Sequence, residues 1–242
     1  MTPPAVHITG NARIDGAALF APIDLCAKAG RWTCILGPSG VGKSSLLHLV
    51  AGCAEGVDWD GSIRAGDGVP LPLRVSLMAQ SDLLLPWLTV RQNAMLGARL
   101  RGERGDDARC DTVLDELGLG DMGARKPGAL SGGQRQRVAL ARTLMEDRPV
   151  VLLDEPFSAL DVATRARMQA LAAARLAGRT VLHVTHDPAE AARLGESIQL
   201  LTPARLISVA PPAMPIPRAP DAPETLDTTG RLTRLLLEAD PS

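Results

Sequence analysis

Residues 37–45, GPSGVGKSS, place three glycines and a proline beside one lysine and three hydroxyls. Such a run makes a poor helix or strand interior, because Gly loses the most backbone entropy on ordering and Pro has no N–H to donate. The flanks indicate what else it serves. Upstream, Trp32-Thr33-Cys34-Ile35-Leu36 is a short apolar run rich in strand formers; downstream, Ser45-Leu46-Leu47-His48-Leu49-Val50 favours a helix beginning just after Lys43. Strand, glycine loop and helix in succession is the context that a phosphate site requires.

Gly37, Pro38, Ser39, Gly40, Val41, Gly42, Lys43 and Ser44 match G-x-x-x-x-G-K-[ST], the P-loop, with Ser45 adjoining it. The glycines let consecutive backbone N–H groups turn inward on a polyphosphate, and the helix N-terminus adds partial positive charge. Lys43 is expected to reach the β- and γ-phosphates, and Ser44 to ligate Mg²⁺.

The bulk numbers narrow the class. A chain of 242 residues should bury on the order of 70–75% of its unfolded surface in one large domain or two small ones. With 45% hydrophobic and 22% charged residues it reads as an ordinary soluble globular protein. A formal net charge of -1 gives no global electrostatic case for nucleic acid or an anionic membrane surface. Cys26, Cys34, Cys53 and Cys110 are widely spaced, which points to reduced thiols rather than a zinc site or disulfide framework. The start, MTPPAVHITG, lacks the pattern of a secretory signal, and no stretch approaches the roughly 20 apolar residues that cross a bilayer. Work at a membrane would then be that of a peripheral subunit on its cytoplasmic face.

Along the chain, residues 5–36 read as short strands forming an antiparallel edge. Asp60-Gly61 and Asp67-Gly68 read as hairpin turns, and Val75–Ala79 as a strand ending at Gln80. From Thr89 to about Met145, Leu, Ala, Arg and Glu dominate, as in a helical insert. Val150–Leu153 and Thr180–Thr185 are continuous apolar runs, expected of parallel strands covered on both faces. Residues 162–177 favour a helix. PPAMPIPRAP, residues 211–220, reads as a stiff linker, and Leu232, Leu235, Leu236 and Leu237 as one face of a short terminal helix.

Val150–Leu153 leads into Asp154-Glu155, about 110 residues after the P-loop, with Pro156 ending the strand. In that setting Asp154 is expected to hold the metal and Glu155 to act as general base toward the attacking water. Between the two lies LSGGQRQRVALARTL, residues 130–144, in which Ser131 suits a helix N-cap and the glycines of Ser131-Gly132-Gly133-Gln134 suit a second anion site.

Leu130–Gln134 resembles the signature motif of ATP-binding cassette (ABC) ATPases. The order of P-loop, Gln80, signature, Asp154-Glu155, Ser158-Ala159-Leu160-Asp161 and His186 resembles that family over residues 5–208. The resemblance implies an α/β fold, a P-loop NTPase (RecA-like) core with an antiparallel β edge and an inserted α-helical subdomain. The ATPase domain would take residues 1–210, with the core in 1–86 and 147–210 and the helical subdomain in 87–146. Residues 211–242 would form a proline-rich linker and a short helix. A head-to-tail dimer is implied, with ATP and Mg²⁺ held between the P-loop of one copy and Ser131, Gly132, Gly133 and Gln134 of the other. Gln80 would sense metal and attacking water, His186 would contact the γ-phosphate, and Asp161 would connect the two sites.

ABC ATPases usually stack adenine on an aromatic residue. Ile14 stands near that position here, Phe20 lies several residues too late, and the chain has no Tyr. SDLLLPWLTVRQN, residues 81–93, resembles the corresponding segment of nitrate, sulfonate and taurine importer ATPases, a group that includes thiamine-precursor systems. This implies membrane permease subunits as partners, an extracytoplasmic solute-binding protein indirectly, and no nucleic acid. The alternative is a non-transport ABC ATPase acting as a switch on a nucleic-acid or ribosomal partner. Of the cluster Leu83–Leu88, about half is expected in the core and the rest in a groove for a permease helix. The tail beyond Pro211 is open among stabilising a dimer, contacting the permease and capping the domain.

Overall fold

The computed structural model describes residues 2–239. The chain forms two compact units, the first built from residues up to Leu77, Pro149–Glu155 and the chain from Ala177 on, the second from Met78–Arg148 and Pro156–Leu176.

In the first unit, β1 (Val6–Ile14), β2 (Ala17–Ala18) and β3 (Ile23–Ala27) form an antiparallel sheet, as the short amino-terminal runs predict. Then β4 (Trp32–Leu36) leads through the glycine loop to α1 (Lys43–Ala51), and β5 (Asp58–Ala65) returns to pair with β1. After β6 (Val75–Met78) the chain enters the second unit, with α2 (Val90–Ala94), α3 (Leu96–Leu100), α4 (Asp107–Glu116) and α5 (Gly132–Met145). It re-enters the first unit for β7 (Val150–Asp154), passes through α6 (Val162–Arg175), and closes with β8 (Thr180–Thr185), α7 (Pro188–Leu194), β9 (Ser197–Leu201), β10 (Leu206–Val209) and α8 (Pro223–Ala239). The second sheet has the order β10-β9-β4-β8-β7-β6. Strands β9, β4, β8 and β7 are mutually parallel, with Leu36 opposite Thr185 and Asp154 opposite Val184.

Every residue of β4, β7 and β8 is buried, the pattern of strands covered on both faces. Ile8, Leu25 and Ala65 of the antiparallel sheet and Ile35, Leu152 and Leu182 of the parallel one join Leu46, Leu47 and Val50 of α1 in one apolar core. The glycine loop is thus anchored on both sides by buried elements.

Two sequence expectations are corrected. Asp60-Gly61 is not a turn but lies inside β5, where Gly61 pairs with Gly10 of β1. A Cβ on Gly61 would sit 2.1 Å from the Thr9 carbonyl oxygen, and one on Gly10 2.3 Å from that of Asp60, so the dipeptide serves close strand approach. Asp67-Gly68 does turn, with the Gly68 N–H donating to the Ala65 carbonyl. The terminal helix runs over 17 residues, and its buried positions are Thr225, Thr228 and Leu232, while Leu237 faces solvent.

Replacing Gly61 with Ala forces the two strands apart, so Gly61→Ala is expected to lower stability by about 2 kcal/mol or more. The urea midpoint of the purified variant checks this.

Candidate functional site

Three parallel strands of the first unit end side by side, and the candidate site lies just beyond their carboxyl ends. From β4 the glycine loop runs into α1. Its N-cap, Gly42, has φ of 93° and offers no side-chain cap. A Cβ there would also meet the Phe20 ring at 2.9 Å, so only glycine suits both the backbone and the packing. The first N–H groups of α1 therefore stay available for an anion. Phe20 is buried beneath this turn, and Ile14 at the end of β1 is half-buried.

Lys43 is buried, and its Nζ donates to the carbonyls of Gly37 at 2.8 Å and Pro38 at 2.7 Å. Burial lowers its pKa, opposed by the carboxylates of Glu155 and Asp154. Asp154 ends β7, fully enclosed, and accepts a hydrogen bond from Ser44 Oγ at 3.1 Å. Burial raises its pKa, opposed first by that hydrogen bond. The next residue, Glu155, takes the left-handed conformation, φ 48°, with its N–H donating to the Val184 carbonyl. This turn sets Glu155 Oε1 3.0 Å from His186 Nδ1, just past β8. The arrangement offers a cation and helix N–H groups for phosphate, two hard oxygen donors fit for Mg²⁺ in Ser44 and Asp154, and a carboxylate held by an imidazole.

Below His186 lies a buried polar chain. Glu190 of α7 accepts from Thr185 Oγ1 at 2.7 Å, and Thr185 Oγ1 in turn accepts from the Asp187 N–H at 3.0 Å. Glu190 Oε2 is 3.4 Å from Nε2 of His183, whose other nitrogen lies 3.9 Å from Cys34 Sγ. Burial opposes charge on His183, yet the contacts with Cys34 and Glu190 outweigh it and push the pKa up to about 10.

In the second unit, Ser131 caps α5 as the sequence predicts. Its Oγ accepts from the Gln134 N–H, while Gln134 Oε1 accepts from the Ser131 N–H at 2.8 Å. Gln136, one turn on, donates to Ser158 Oγ and accepts from the Ala159 N–H at 3.0 Å, tying the signature helix to the segment before α6. Asp161 is the N-cap of α6, and its hydrogen bonds with Thr164 lower its pKa. Gln80 is exposed just past β6.

The apolar segment 83–88 divides in two. Leu84 and Leu88 are buried, whereas Leu83 and Trp87 are 60% and 65% exposed. Residues that the sequence reading did not single out create this division. Asn93, fully buried on α2, accepts from the Leu85 N–H and donates to the carbonyls of Leu85, Leu88 and Thr89. Arg142 of α5 donates to the carbonyls of Leu83 and Asp82, and Arg135 pairs with Asp82. Asn93 lies within the quoted SDLLLPWLTVRQN segment, but only the loop geometry reveals its role.

The strand order and the glycine loop define a nucleoside-triphosphatase of the P-loop α/β class. Residues 20–158 match the ABC transporter family. The chain is 45% identical over 198 residues to the thiamine import ATP-binding protein ThiQ of Cereibacter sphaeroides, covering 78% of this chain and 85% of that one. It is 45% identical over 207 residues to the aliphatic sulfonates import ATP-binding protein SsuB 1 of Rhodococcus jostii, covering 82% of each. Among solved structures, a bacterial Atm1-family ABC exporter with ATP bound matches with a TM-score of 0.73 at 26% identity, over 85% of this chain and 38% of that one. The chain belongs to the ABC transporter family and is an ATP-binding ATPase. Among the described residues no helix is long and apolar enough to cross a membrane.

Folding lifts the His183 pKa from 6.5 to about 10, so its charged form stabilises fully below about pH 6.5 and that contribution is lost as pH climbs through 10. The difference in melting temperature between wild type and His183→Gln is therefore expected to narrow from pH 7 to pH 10.5, as thermal scans across that range will show.

Proposed function

We propose that this chain drives an importer for a small organic solute of the sulfonate or thiamine-precursor type. Two copies close head to tail on two ATP molecules, and the cycle is transmitted to separate permease subunits at the cytoplasmic face of the membrane. An extracytoplasmic protein delivers the solute. The importer relatives, alike over most of their length, support the transport role. The observation that carries the chemistry is the convergence of Lys43, the Ser44–Asp154 pair and the Glu155–His186 pair at adjacent strand ends.

In this reading Lys43 and the N–H groups of residues 37–45 hold the β- and γ-phosphates. Ser44 and Asp154 would hold Mg²⁺, which when bound would neutralise charge on the phosphates. Glu155 accepts the proton of the attacking water, and His186 orients Glu155 and the γ-phosphate. Ser131, Gly132, Gly133 and Gln134 of the second copy complete the phosphate cradle, and Asp161 links the two sites. Without an aromatic residue at Ile14, and with Phe20 buried, base stacking worth roughly 1–3 kcal/mol is missing from adenine recognition. Exposed Leu83 and Trp87 form the apolar contact for a permease helix.

Glu155→Gln is expected to bind ATP, to run as an ATP-dependent dimer on size exclusion, and to hydrolyse at least ~100-fold more slowly. Captured with MgATP from gently solubilised host membranes, it should bring down a multi-span permease; wild-type turnover or a purely ribosomal set of partners would overturn the reading. Trp87→Ala should keep the ATPase rate of the isolated subunit and lose most of the stimulation by the permease, measured in reconstituted vesicles.

A further inference from the structure

The proline-rich tail hides a cation. Arg218 sits in PPAMPIPRAP, a stretch with no helix or strand, where an arginine is ordinarily solvated. It is instead only 4% exposed. Burial lowers its pKa, opposed by Cys34 and Glu196. Its hydrogen-bond partners are carbonyl oxygens, and they fall in two sets.

One set belongs to the tail itself. Nη2 donates to Pro212 at 2.8 Å and Nε to Met214 at 2.9 Å, curling the proline stretch around its own arginine. The other belongs to the carboxyl end of α7. Nη1 donates to Ala192 at 2.8 Å and Gly195 at 2.9 Å, and the Arg218 N–H donates to the Arg193 carbonyl at 3.0 Å. Arg193 Nε returns a bond to the Arg218 carbonyl at 3.0 Å. The last carbonyls of a helix have no intrahelical partner and carry partial negative charge, so a planar guanidinium fork is a matched cap for them. Two further contacts hold the tail in place: α8 packs against α7, and Arg231 donates to the Ala210 carbonyl at 2.7 Å.

The opposite end of α7 is the hydrolytic site. Asp187 is its N-cap, and His186 immediately precedes it. Glu190 and Thr185 fasten that end to β8. A helix of seven residues is only about 10 Å long and moves as one body. A shift at the Arg218 end is therefore passed to the loop that sets His186 Nδ1 3.0 Å from Glu155 Oε1. Misplacement of a reacting group by about 1 Å is worth up to ~100-fold in rate.

We infer that Arg218 is a positioning residue for ATP hydrolysis: by capping the carboxyl end of α7 from the tail, it fixes the helix that carries His186 to Glu155. The inference rests on the hydrolytic reading of His186 given above. It assigns the tail a part in turnover that does not involve touching nucleotide.

The test is a double-mutant cycle in the full-length chain with Arg218→Ala, His186→Ala and the double variant, reading kcat, KM and the dissociation constant for ATP at a temperature where each is folded. Arg218→Ala is expected to lower kcat about tenfold with the ATP dissociation constant unchanged, and to add less than twofold in the His186→Ala background. A tenfold loss in both backgrounds, weakened ATP binding, or an unchanged kcat would overturn the positioning role. If His186→Ala alone keeps wild-type kcat, the hydrolytic reading of His186 fails instead. Should Arg218→Ala not fold, Arg218→Lys takes its place in the same cycle: its single ammonium cannot span both sets of carbonyls, so the same outcomes decide.

Discussion

Parallel pairing of β4 with β8 and of β8 with β7 is the constraint on which the candidate site rests. Leu36 stands opposite Thr185, and Asp154 opposite Val184, so three loops leave the sheet at one level. In a parallel sheet a slip that preserves facing is two residues, about 7 Å, more than enough to part Glu155 from His186. Because all three strands are buried on both faces, core packing against α1 holds this register.

That register brings together groups that burial disfavours individually. Lys43 is pushed toward its neutral form and Asp154 toward its protonated one, yet each opposes the shift of the other. Charges held in this way, with water largely replaced by protein dipoles, act more strongly on a phosphate than the same charges in solvent. Ser44 belongs to the same group: its hydroxyl bonds to Asp154 and so fixes the spacing of the two oxygen donors.

The sequence makes the phosphate loop, the Asp154-Glu155 pair and the capped start of α5 readable because each needs specific residue types at fixed short spacing. The parallel strands are readable for a different reason, their unbroken apolar runs. Where the partner is distant, the local text misleads or is silent. Asp60-Gly61 has the composition of a turn, but its reason is Gly10, some 50 residues earlier. Arg218 looks like one more charge in a proline stretch, since the carbonyls it caps belong to a separate helix. Nothing local distinguishes His183 from any other strand histidine, because Cys34 and Glu190 reach it from two different elements. The segment 83–88 is intermediate: its apolar character is plain, but which leucines turn inward is decided by Asn93 and Arg142.

Glu155 sits at φ 48°, a backbone region that suits glycine or asparagine better than glutamate. Relieving that conformation is worth on the order of 1 kcal/mol to the folded state. Random drift under selection for stability alone would therefore replace this side chain with glycine or asparagine. If Glu155 is the general base, as proposed, a screen for heat resistance would be drawn to this position and would return folded protein without turnover.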